Sequence, residues 1–265
     1  METETPRPFA VVTGASSGIG FELARQFALN GFDLLITAED AELMTAAQRL
    51  EPTGSQIEVV RVDLIQDEGV DELFRRITAT GRPVAAIALN AGIGGGGAFV
   101  DSDLDDELRI IDLNVRSTVH LARHVLPVIV AQGEGRVLFT SSIASGWPGS
   151  FQATYNASKS FVQSFALALR DELRDTGVTV TSLMPGPTET EFFERADMLD
   201  TKVGGSRKDD PADVAREGFE ALMAGKERSV AGSLSTKIQS HGSRLIPDAI
   251  KARMHRQMAE PKGDE

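Results

Sequence analysis

Short apolar runs and amphipathic segments alternate along most of the chain. The first run, at 9–12, is followed by a glycine-rich turn and then by Ile19, Leu23 and Phe27 at a spacing of four, which predicts strand, turn and helix. Further strands are predicted at 33–37, 57–62, 84–89, 136–141 and 178–184, and further helices at about 40–50, 67–79, 103–131 and 151–176. Because parallel strands need crossover connections, this alternation predicts a single α/β domain, a doubly wound, Rossmann-like parallel sheet of about seven strands with helices on both faces.

The predicted domain spans 9–231, with a polar N-terminal tail at 1–8 and, at 232–265, a C-terminal helical extension of the same domain that ends in a polar tail. The stretch at about 186–210 has few apolar residues in periodic order, which is typical of a lid over a substrate or of a disordered segment. Near the C-terminus, Ile250, Met254 and Met258 form one stripe. This stripe favours a helix docked on the core or on a neighbouring subunit over a helix on a membrane surface.

Charge and composition narrow the classes of partner. The net charge of -12 and the sequence pI of 4.9 argue against nucleic acid or an anionic membrane as a partner. The absence of cysteine excludes disulfides, thiolate catalysis and cysteine-ligated metals. The start of the chain lacks a basic region followed by an apolar one, and nowhere do about 18 apolar residues run together. We therefore expect a cytoplasmic protein.

The turn Thr13-Gly14-Ala15-Ser16-Ser17-Gly18-Ile19-Gly20 connects the first predicted strand to the first helix. A glycine-rich loop at the start of a helix lets backbone N–H groups face a pyrophosphate, and small residues allow the close approach. No lysine follows Gly20 as a P-loop requires, so hydrolysis of ATP or GTP is disfavoured. The position of the turn favours a dinucleotide site, and a tight turn without a ligand is the alternative.

Tyr155 is the only tyrosine, and Lys159 follows it four positions later. A spacing of four residues places the two side chains on one face of a helix. A phenol has a pKa of about 10, which makes it a poor base at neutral pH. A cation at ~4 Å favours the phenolate by ~4 kcal/mol at an effective dielectric of ~20, so Lys159 is expected to lower the pKa of Tyr155. The pair is a candidate proton-transfer device, although such a spacing also occurs by chance.

Several motifs together resemble the short-chain dehydrogenase/reductase family, in its common form of about 250 residues. The matching motifs, in order and spacing from Phe9 to about Ala231, are Thr13-Gly14-x-x-x-Gly18-Ile19-Gly20, Asn90-Ala91-Gly92, Asn114, Ser142, Tyr155 with Lys159, and Pro185-Gly186 with Thr190. One departure is Leu89, where the family commonly has a second asparagine. The resemblance implies hydride transfer between a nicotinamide cofactor and a ketone or secondary alcohol, in a homo-dimer or homo-tetramer.

The resemblance also implies roles for individual residues. Ser142 would donate a hydrogen bond to the substrate oxygen, and Tyr155 would transfer the proton. Lys159 would lower the pKa of the tyrosine and bind the nicotinamide ribose, while Asn114 would hold a water that connects the site to solvent. The residues expected at the cofactor are Gly14, Ser16, Ser17, Gly18, Ile19, Gly20, Glu39, Asp63, Leu64, Asn90, Ala91, Gly92, Tyr155, Lys159, Pro185, Gly186, Thr188 and Thr190. Those expected at the substrate are Ser142, Ile143, Trp147, Phe151 and Phe192, a mainly apolar set that favours an apolar ketone or secondary alcohol.

The choice between NAD and NADP depends on the end of the second strand. An acidic side chain there accepts hydrogen bonds from a ribose diol, whereas an arginine pairs with the phosphate of NADP. Glu39 stands where NADP-preferring relatives tend to have arginine, which favours NAD, with NADP as the alternative. Ala38 stands where strict NAD users usually have aspartate, which weakens the preference. Asp63 resembles the residue that contacts adenine, but it is also placed to cap the helix that follows.

His120 and His124 lie four residues apart on one predicted helix, a spacing that could bind a metal. Leu121, Ala122 and Arg123 between them supply no glutamate of the kind found in HExxH zinc sites. From the sequence we therefore expect no metal and assign the two histidines to solvent or to an interface.

Two other functions compete with an oxidoreductase. A serine hydrolase is disfavoured because Ser142 lacks the flanking glycines of a nucleophile elbow and no histidine is placed by a motif. A nucleotide-binding regulatory or scaffold protein of the same fold, without turnover, is the second alternative. The presence of Asn114, Ser142, Tyr155 and Lys159 together favours the enzyme, because binding alone does not require all four.

Overall fold

The computed structural model describes residues 6–233, 236–237 and 246–261. Seven parallel strands pair in the order β3-β2-β1-β4-β5-β6-β7. Their bounds are β1 Phe9–Thr13, β2 Asp33–Ala38, β3 Ile57–Arg61, β4 Val84–Leu89, β5 Gly135–Thr140, β6 Val178–Pro185 and β7 Arg228–Ala231. The central strands are buried on both faces, which explains their continuous apolar runs, and the predicted Rossmann-like sheet is confirmed.

Helices cover both faces of the sheet. They are α1 Gly18–Leu29, α2 Glu42–Leu50, α3 Asp67–Ala79, α4 Leu104–Ile111, α5 Ser117–Gln132, α6 Ala153–Glu172, α7 Phe192–Arg195, α8 Pro211–Met223 and α9 Asp248–Ala259. One apolar cluster packs α1, α2 and α8 on the first face, and a second packs α3, α5 and α6 on the other. The carboxyl ends of the strands therefore meet at one rim of the sheet, between two layers of helices.

Several elements differ from the prediction, among them α8, for which no helix was predicted. The helix expected at 103–131 is divided by a π-helical turn at Asp112–Arg116, which separates α4 from α5. The helix expected at 151–176 is shorter, at 153–172. Strand β7 was not located from the sequence, because its four residues are mostly half-buried at the sheet edge and show no alternation.

Helix α9 packs on this chain through His255, Ala259 and the half-buried Met258 of the predicted stripe. It buries His255 and Ala259, while Ile250 and Met254 are 49% and 42% exposed. The His255 ring lies 2.9 Å from the Ser150 carbonyl oxygen through Nδ1. The His255 contact helps to dock α9 on this chain, and contact of the exposed part of the stripe with a neighbouring subunit stays a prediction.

Parts of the predicted tails lie outside the described residues, namely 1–5, 262–265 and, within the C-terminal extension, 234–235 and 238–245. Among the described helices, none combines the length and the apolar character needed to cross a bilayer. The expectation of a cytoplasmic protein stays a prediction.

Candidate active site

A cleft of about 1010 Å³ opens at the carboxyl ends of the central strands. It lies where the strand order reverses between β1 and β4, the usual ligand position in a doubly wound sheet. Eighteen residues expected at the cofactor line it: Gly14, Ser16, Ser17, Gly18, Ile19, Gly20, Glu39, Asp63, Leu64, Asn90, Ala91, Gly92, Tyr155, Lys159, Pro185, Gly186, Thr188 and Thr190.

The turn after β1 has the backbone that a pyrophosphate cradle requires. Gly14 and Gly18 have φ angles of 65° and 54°, in the left-handed region that favours glycine. A Cβ on Gly20 would lie 1.9 Å from the Gly14 carbonyl oxygen, so no side chain fits there. Helix α1 begins at Gly18, and its first N–H groups are available to an anion at this rim. The residues present therefore fit the phosphates of a dinucleotide.

Two acidic side chains lie where the turn meets the end of β2. Glu39 is exposed on the cleft, and Asp40 beside it accepts a hydrogen bond from the Ser16 hydroxyl at 2.8 Å. The other carboxylate oxygen of Asp40, Oδ1, is buried without a hydrogen-bond partner among the described residues. The sequence analysis did not single out Asp40, although it directly follows Glu39.

Asp63 does not cap the helix after it. Its Oδ1 accepts from the Ile65 N–H at 2.9 Å in a local turn, whereas α3 begins at Asp67 after Gln66. Asp63 and Leu64 instead line the cleft next to the acids of β2. This leaves the cofactor interpretation of Asp63 as the one that its position supports.

Thr13, which the sequence analysis did not list as a site residue, holds the Asn90-Ala91-Gly92 segment in place. Its hydroxyl accepts from the Asn90 and Ala91 N–H groups at 2.9 and 3.0 Å. The Asn90 side chain links a third strand, because its Oδ1 accepts from the Thr140 hydroxyl at 3.0 Å. Leu89, the departure from the family pattern, is buried in the core. These contacts fix the ends of β1, β4 and β5 relative to one another.

Asn114 lies behind the cleft and does not line it. Its amide donates to the Ile93 carbonyl and the Ser158 hydroxyl, both at 2.9 Å, and its oxygen accepts from the Ile93 N–H at 2.9 Å. The π-helical turn that contains Asn114 is a feature often found at functional sites. The side chain therefore joins the segment after β4 to α6.

Tyr155 and Lys159 lie on α6 and are both buried. The Lys159 ammonium donates to the Thr140 carbonyl oxygen at 3.0 Å and lies 5.9 Å from the centre of the Tyr155 ring. The Ser141 hydroxyl donates to the Lys159 carbonyl at 2.9 Å, which ties α6 to the end of β5. The predicted pair thus shares one pocket, with the lysine anchored to the sheet.

The electrostatics of the pair differ from the expectation that Lys159 lowers the pKa of Tyr155. Burial raises the pKa of Tyr155 to about 12, and a hydrogen bond with Ser142 lowers it by less. Burial also lowers the pKa of Lys159 to about 8. In the cofactor-free protein, desolvation is therefore stronger than activation by the lysine, and a lysine with this pKa has lost its charge before the phenol ionises.

Ser142 lies at the tip of β5 and begins a short 3-10 turn, Ile143–Gly146. Its hydroxyl oxygen accepts from the Ala144 N–H at 3.1 Å and lies 3.5 Å from the Pro185 carbonyl. These contacts hold the hydroxyl on the cleft beside Tyr155.

Four of the five predicted substrate residues line the cleft, and Phe151 does not. The four are Ser142, Ile143, Trp147 and Phe192. Phe151 adopts a positive φ of 63° and packs with an apolar cluster that contains Phe193 and Met198. The Arg256 guanidinium lies 5.1 Å from the centre of its ring. Its aromatic character suggested a place in the pocket, but the ring packs against residues that follow β6 instead.

Residues of the predicted lid pack against the glycine tract at 94–97. The centres of the Phe192 and Tyr155 rings lie 5.2 Å apart. A Cβ on Gly94 would lie 2.3 Å from Phe192, and one on Gly96 would lie 2.5 Å from Met198. The tract therefore gives the lid segment room to approach the tyrosine.

Several basic residues of the cleft were not predicted from the sequence. They include Arg109 from α4, Arg195, Lys202 and Arg207 from segment 186–210, and the buried His255 from α9. Burial lowers the pKa of His255. No sequence motif identifies these positions, because they come together only where segment 186–210 and α9 pack along the cleft.

Comparison with known proteins adds independent findings. A family model described as short chain dehydrogenase matches residues 8–199. An uncharacterized oxidoreductase of Staphylococcus saprophyticus is 33% identical over 217 residues, which cover 81% of this chain and 90% of that protein. A short-chain dehydrogenase from Sphingobium yanoikuyae, solved with NADPH, has a TM-score of 0.78 and 28% identity, covering 84% of this chain and 86% of that one. The bulky-bulky ketone specific alcohol dehydrogenase from Comamonas testosteroni has a TM-score of 0.75 and 28% identity over 85% and 86% of the two chains.

The contact between Gly94 and Phe192 generates a prediction. Gly94→Ala places a methyl group where the Phe192 ring lies, so the lid residue must move off Tyr155. We expect the KM for a carbonyl substrate to rise at least about fivefold with cofactor affinity little changed, because a misplaced lid weakens substrate binding.

The matched control is Gly205→Ala in segment 186–210, where the nearest atom to the added carbon lies at 3.5 Å. Steady-state kinetics and a cofactor titration on both variants check the prediction. An equal KM in Gly94→Ala and wild type would contradict it.

Proposed function

Because the chain belongs to the short-chain dehydrogenase/reductase family and is an NAD(P)-dependent oxidoreductase, we propose that it interconverts an apolar ketone and its secondary alcohol with NAD(H). The observation that carries the proposal is the convergence of Ser142, Tyr155 and Lys159 on the cleft that the glycine-rich turn opens. When bound, the nicotinamide supplies or accepts the hydride.

The proton is proposed to move through Tyr155. In the reductive direction its hydroxyl donates to the carbonyl oxygen, and in the oxidative direction the phenolate accepts the alcohol proton. Ser142, held beside Tyr155, donates a hydrogen bond to the same oxygen and stabilises the charge that develops there. We propose that Lys159 binds the nicotinamide ribose and that Asn114 supports a water path behind it.

The preference for NAD rests on the two acids after β2. Glu39 and Asp40 both line the cleft, and a phosphate on the ribose would be brought against their charges. Arg61 donates to the Glu39 carbonyl oxygen at 2.8 Å, but it does not line the cleft. The NADPH in the Sphingobium relative keeps NADP as the alternative.

The apolar substrate is inferred from Ile143, Trp147 and Phe192, which face the cleft near Tyr155. Segment 186–210 is proposed to act as the lid, because it brings Phe192 over the tyrosine. The Comamonas relative, described as specific for bulky-bulky ketones, supports a ketone as the substrate.

A homo-dimer or homo-tetramer is proposed from the family and from an apolar surface on two helices. Leu104, Leu108 and Ile111 on α4 and Phe161 on α6 are between 40% and 67% exposed. Such a patch is typical of a subunit interface. The mass of the protein in solution decides this point, and a monomer at micromolar concentration would contradict it.

Removal of the phenolic hydroxyl tests the proposed function. Tyr155→Phe keeps the buried ring but deletes the proton, so turnover should fall by about 10²–10⁴-fold while NADH binding stays within about twofold. A panel of ketones and secondary alcohols, assayed with NAD(H) and NADP(H), provides the measurement.

Two outcomes count against the proposal. One is turnover in Tyr155→Phe equal to that of wild type. The other is a wild-type protein that binds NADH but turns over no member of the panel, which would favour the regulatory or scaffold alternative.

Cofactor choice has its own test. Glu39→Arg replaces a repulsive charge with a partner for the ribose phosphate, so the ratio of NADP(H) to NAD(H) affinity should rise by at least about tenfold. Glu51→Arg makes the same charge change at an exposed position outside the cleft and should leave the ratio unchanged. A wild-type preference for NADP(H), measured by titration of both cofactors, would refute the proposed role of Glu39.

A further inference from the structure

Three metal-ligand side chains meet on the surface between α3 and α5. Asp71 comes from α3, and His120 and His124 come from successive turns of α5. None of the three lines the cleft, so the cluster is separate from the candidate active site. All three are partly exposed, at 52% for Asp71, 27% for His120 and 34% for His124, which leaves them accessible to an ion.

The ligand atoms form a nearly equilateral triangle. His124 Nε2 lies 3.0 Å from His120 Nε2 and 3.0 Å from Asp71 Oδ1, and His120 Nε2 lies 3.2 Å from Asp71 Oδ1. With metal–ligand bonds of about 2.0–2.1 Å, neighbouring ligand atoms are about 3.3 Å apart around a tetrahedral ion and about 2.9 Å apart around an octahedral one. The observed edges fall within this range, so one ion can contact all three atoms with little movement.

Hydrogen bonding alone explains this triangle poorly. A neutral imidazole has one N–H group, and two neutral rings whose Nε2 atoms face each other can share a single proton. Any such arrangement leaves one edge of the triangle between two acceptors or two donors. With the ring protons on Nδ1, both Nε2 atoms and Asp71 Oδ1 present lone pairs to one central point. A divalent cation at that point would satisfy all three at once.

Neighbouring side chains orient the ligands in the manner of known metal sites. His120 Nδ1 lies 3.5 Å from Asp67 Oδ1, the carboxylate–histidine contact that usually fixes the orientation of a ligating imidazole. The His124 ring stacks on Phe74, with ring centres 4.7 Å apart and planes at 13°. Arg116 pairs with Asp67, so Asp71 is the carboxylate left to face the two rings.

We propose that Asp71, His120 and His124 bind one divalent transition-metal ion of the Zn²⁺ type, with solvent completing its coordination. Two imidazoles and one carboxylate are a ligand set that such ions favour. The bound ion would join α3 to α5 and thereby stabilise the helical layer on that face of the sheet. From the sequence we expect no metal, because no glutamate of the HExxH kind lies between the two histidines. Asp71, the third ligand proposed here, lies 49 positions before His120 and shares no motif with it.

The test uses the untagged full-length protein after treatment with a chelator. Isothermal titration with Zn²⁺ at about pH 7.5, where imidazoles are mainly neutral, should show one ion per chain. Saturating Zn²⁺ at about a hundred times Kd should raise Tm by roughly 5 °C, because the ion binds only the folded site. Co²⁺ as a spectroscopic probe should give a d–d absorption band that reports nitrogen and oxygen ligands.

Substitutions locate the ion. Asp71→Asn and His124→Gln should each weaken Zn²⁺ binding by at least about tenfold and remove most of the rise in Tm. Glu72→Gln, one residue along α3, removes a carboxylate that pairs with Arg75 and should leave the affinity within about twofold. His241→Gln, at a histidine outside the described residues, should do the same. Retained NADH binding shows that each variant is folded.

Two results would overturn the proposal. The first is unchanged Zn²⁺ affinity in both Asp71→Asn and His124→Gln. The second is a loss of binding in His241→Gln alone, which would place the ion elsewhere. The outcome is independent of the proposed oxidoreductase activity, because binding and Tm are measured without turnover.

Discussion

The burial of Tyr155 and Lys159 against the end of β5 is the constraint on which the site depends. A phenol and an amine removed from water both favour their neutral forms, so burial raises the pKa of Tyr155 and lowers that of Lys159. The protein keeps the pair in place by hydrogen bonds from α6 to the sheet, through Thr140 and Ser141. The many apolar contacts between α6 and the central strands offset the free-energy cost of burying these two groups.

The same burial requires close approach of the segment after β4. A Cβ on Gly92 would lie 3.0 Å from the Asn114 amide oxygen and 3.1 Å from the Lys159 ammonium, so a larger residue there would crowd both. Asn114 reaches this point because a π-helical turn interrupts the helix. Gly92 and the π-helical turn therefore both allow the pocket to close around Lys159.

Much of the fold was readable from the sequence, and the reasons are physical. Buried parallel strands give continuous apolar runs, and the glycine-rich turn follows from the backbone geometry of Gly14 and Gly18. The π-helical turn left no sign, since its residues continue the helical pattern on both sides. The docked face of α9 depends on a tertiary contact of His255, which periodicity does not report.

The residues that form the site could be predicted from the sequence more completely than their pKa values. Motif spacing places Ser142, Tyr155 and Lys159 on one cleft, but the strength of desolvation depends on how deeply α6 is packed. Phe151 lies off the cleft and packs with residues that follow β6, and Asp71 was missed because it joins the two histidines only through the packing of α3 on α5. Pairs within one element are visible in a sequence, whereas neighbours from distant elements need the fold.

The central claim is that burial controls the Tyr155 phenol in the cofactor-free protein, and its pKa tests this most directly. Because Tyr155 is the only tyrosine, the near-ultraviolet absorbance of tyrosinate titrates this one group in the folded protein. If burial controls the phenol, the midpoint of the titration lies at about 12. It changes little in Lys159→Met, because the lysine is already neutral at that pH. A midpoint at or below about 10 that rises in Lys159→Met would instead show that the charge of the lysine dominates, and would contradict the account.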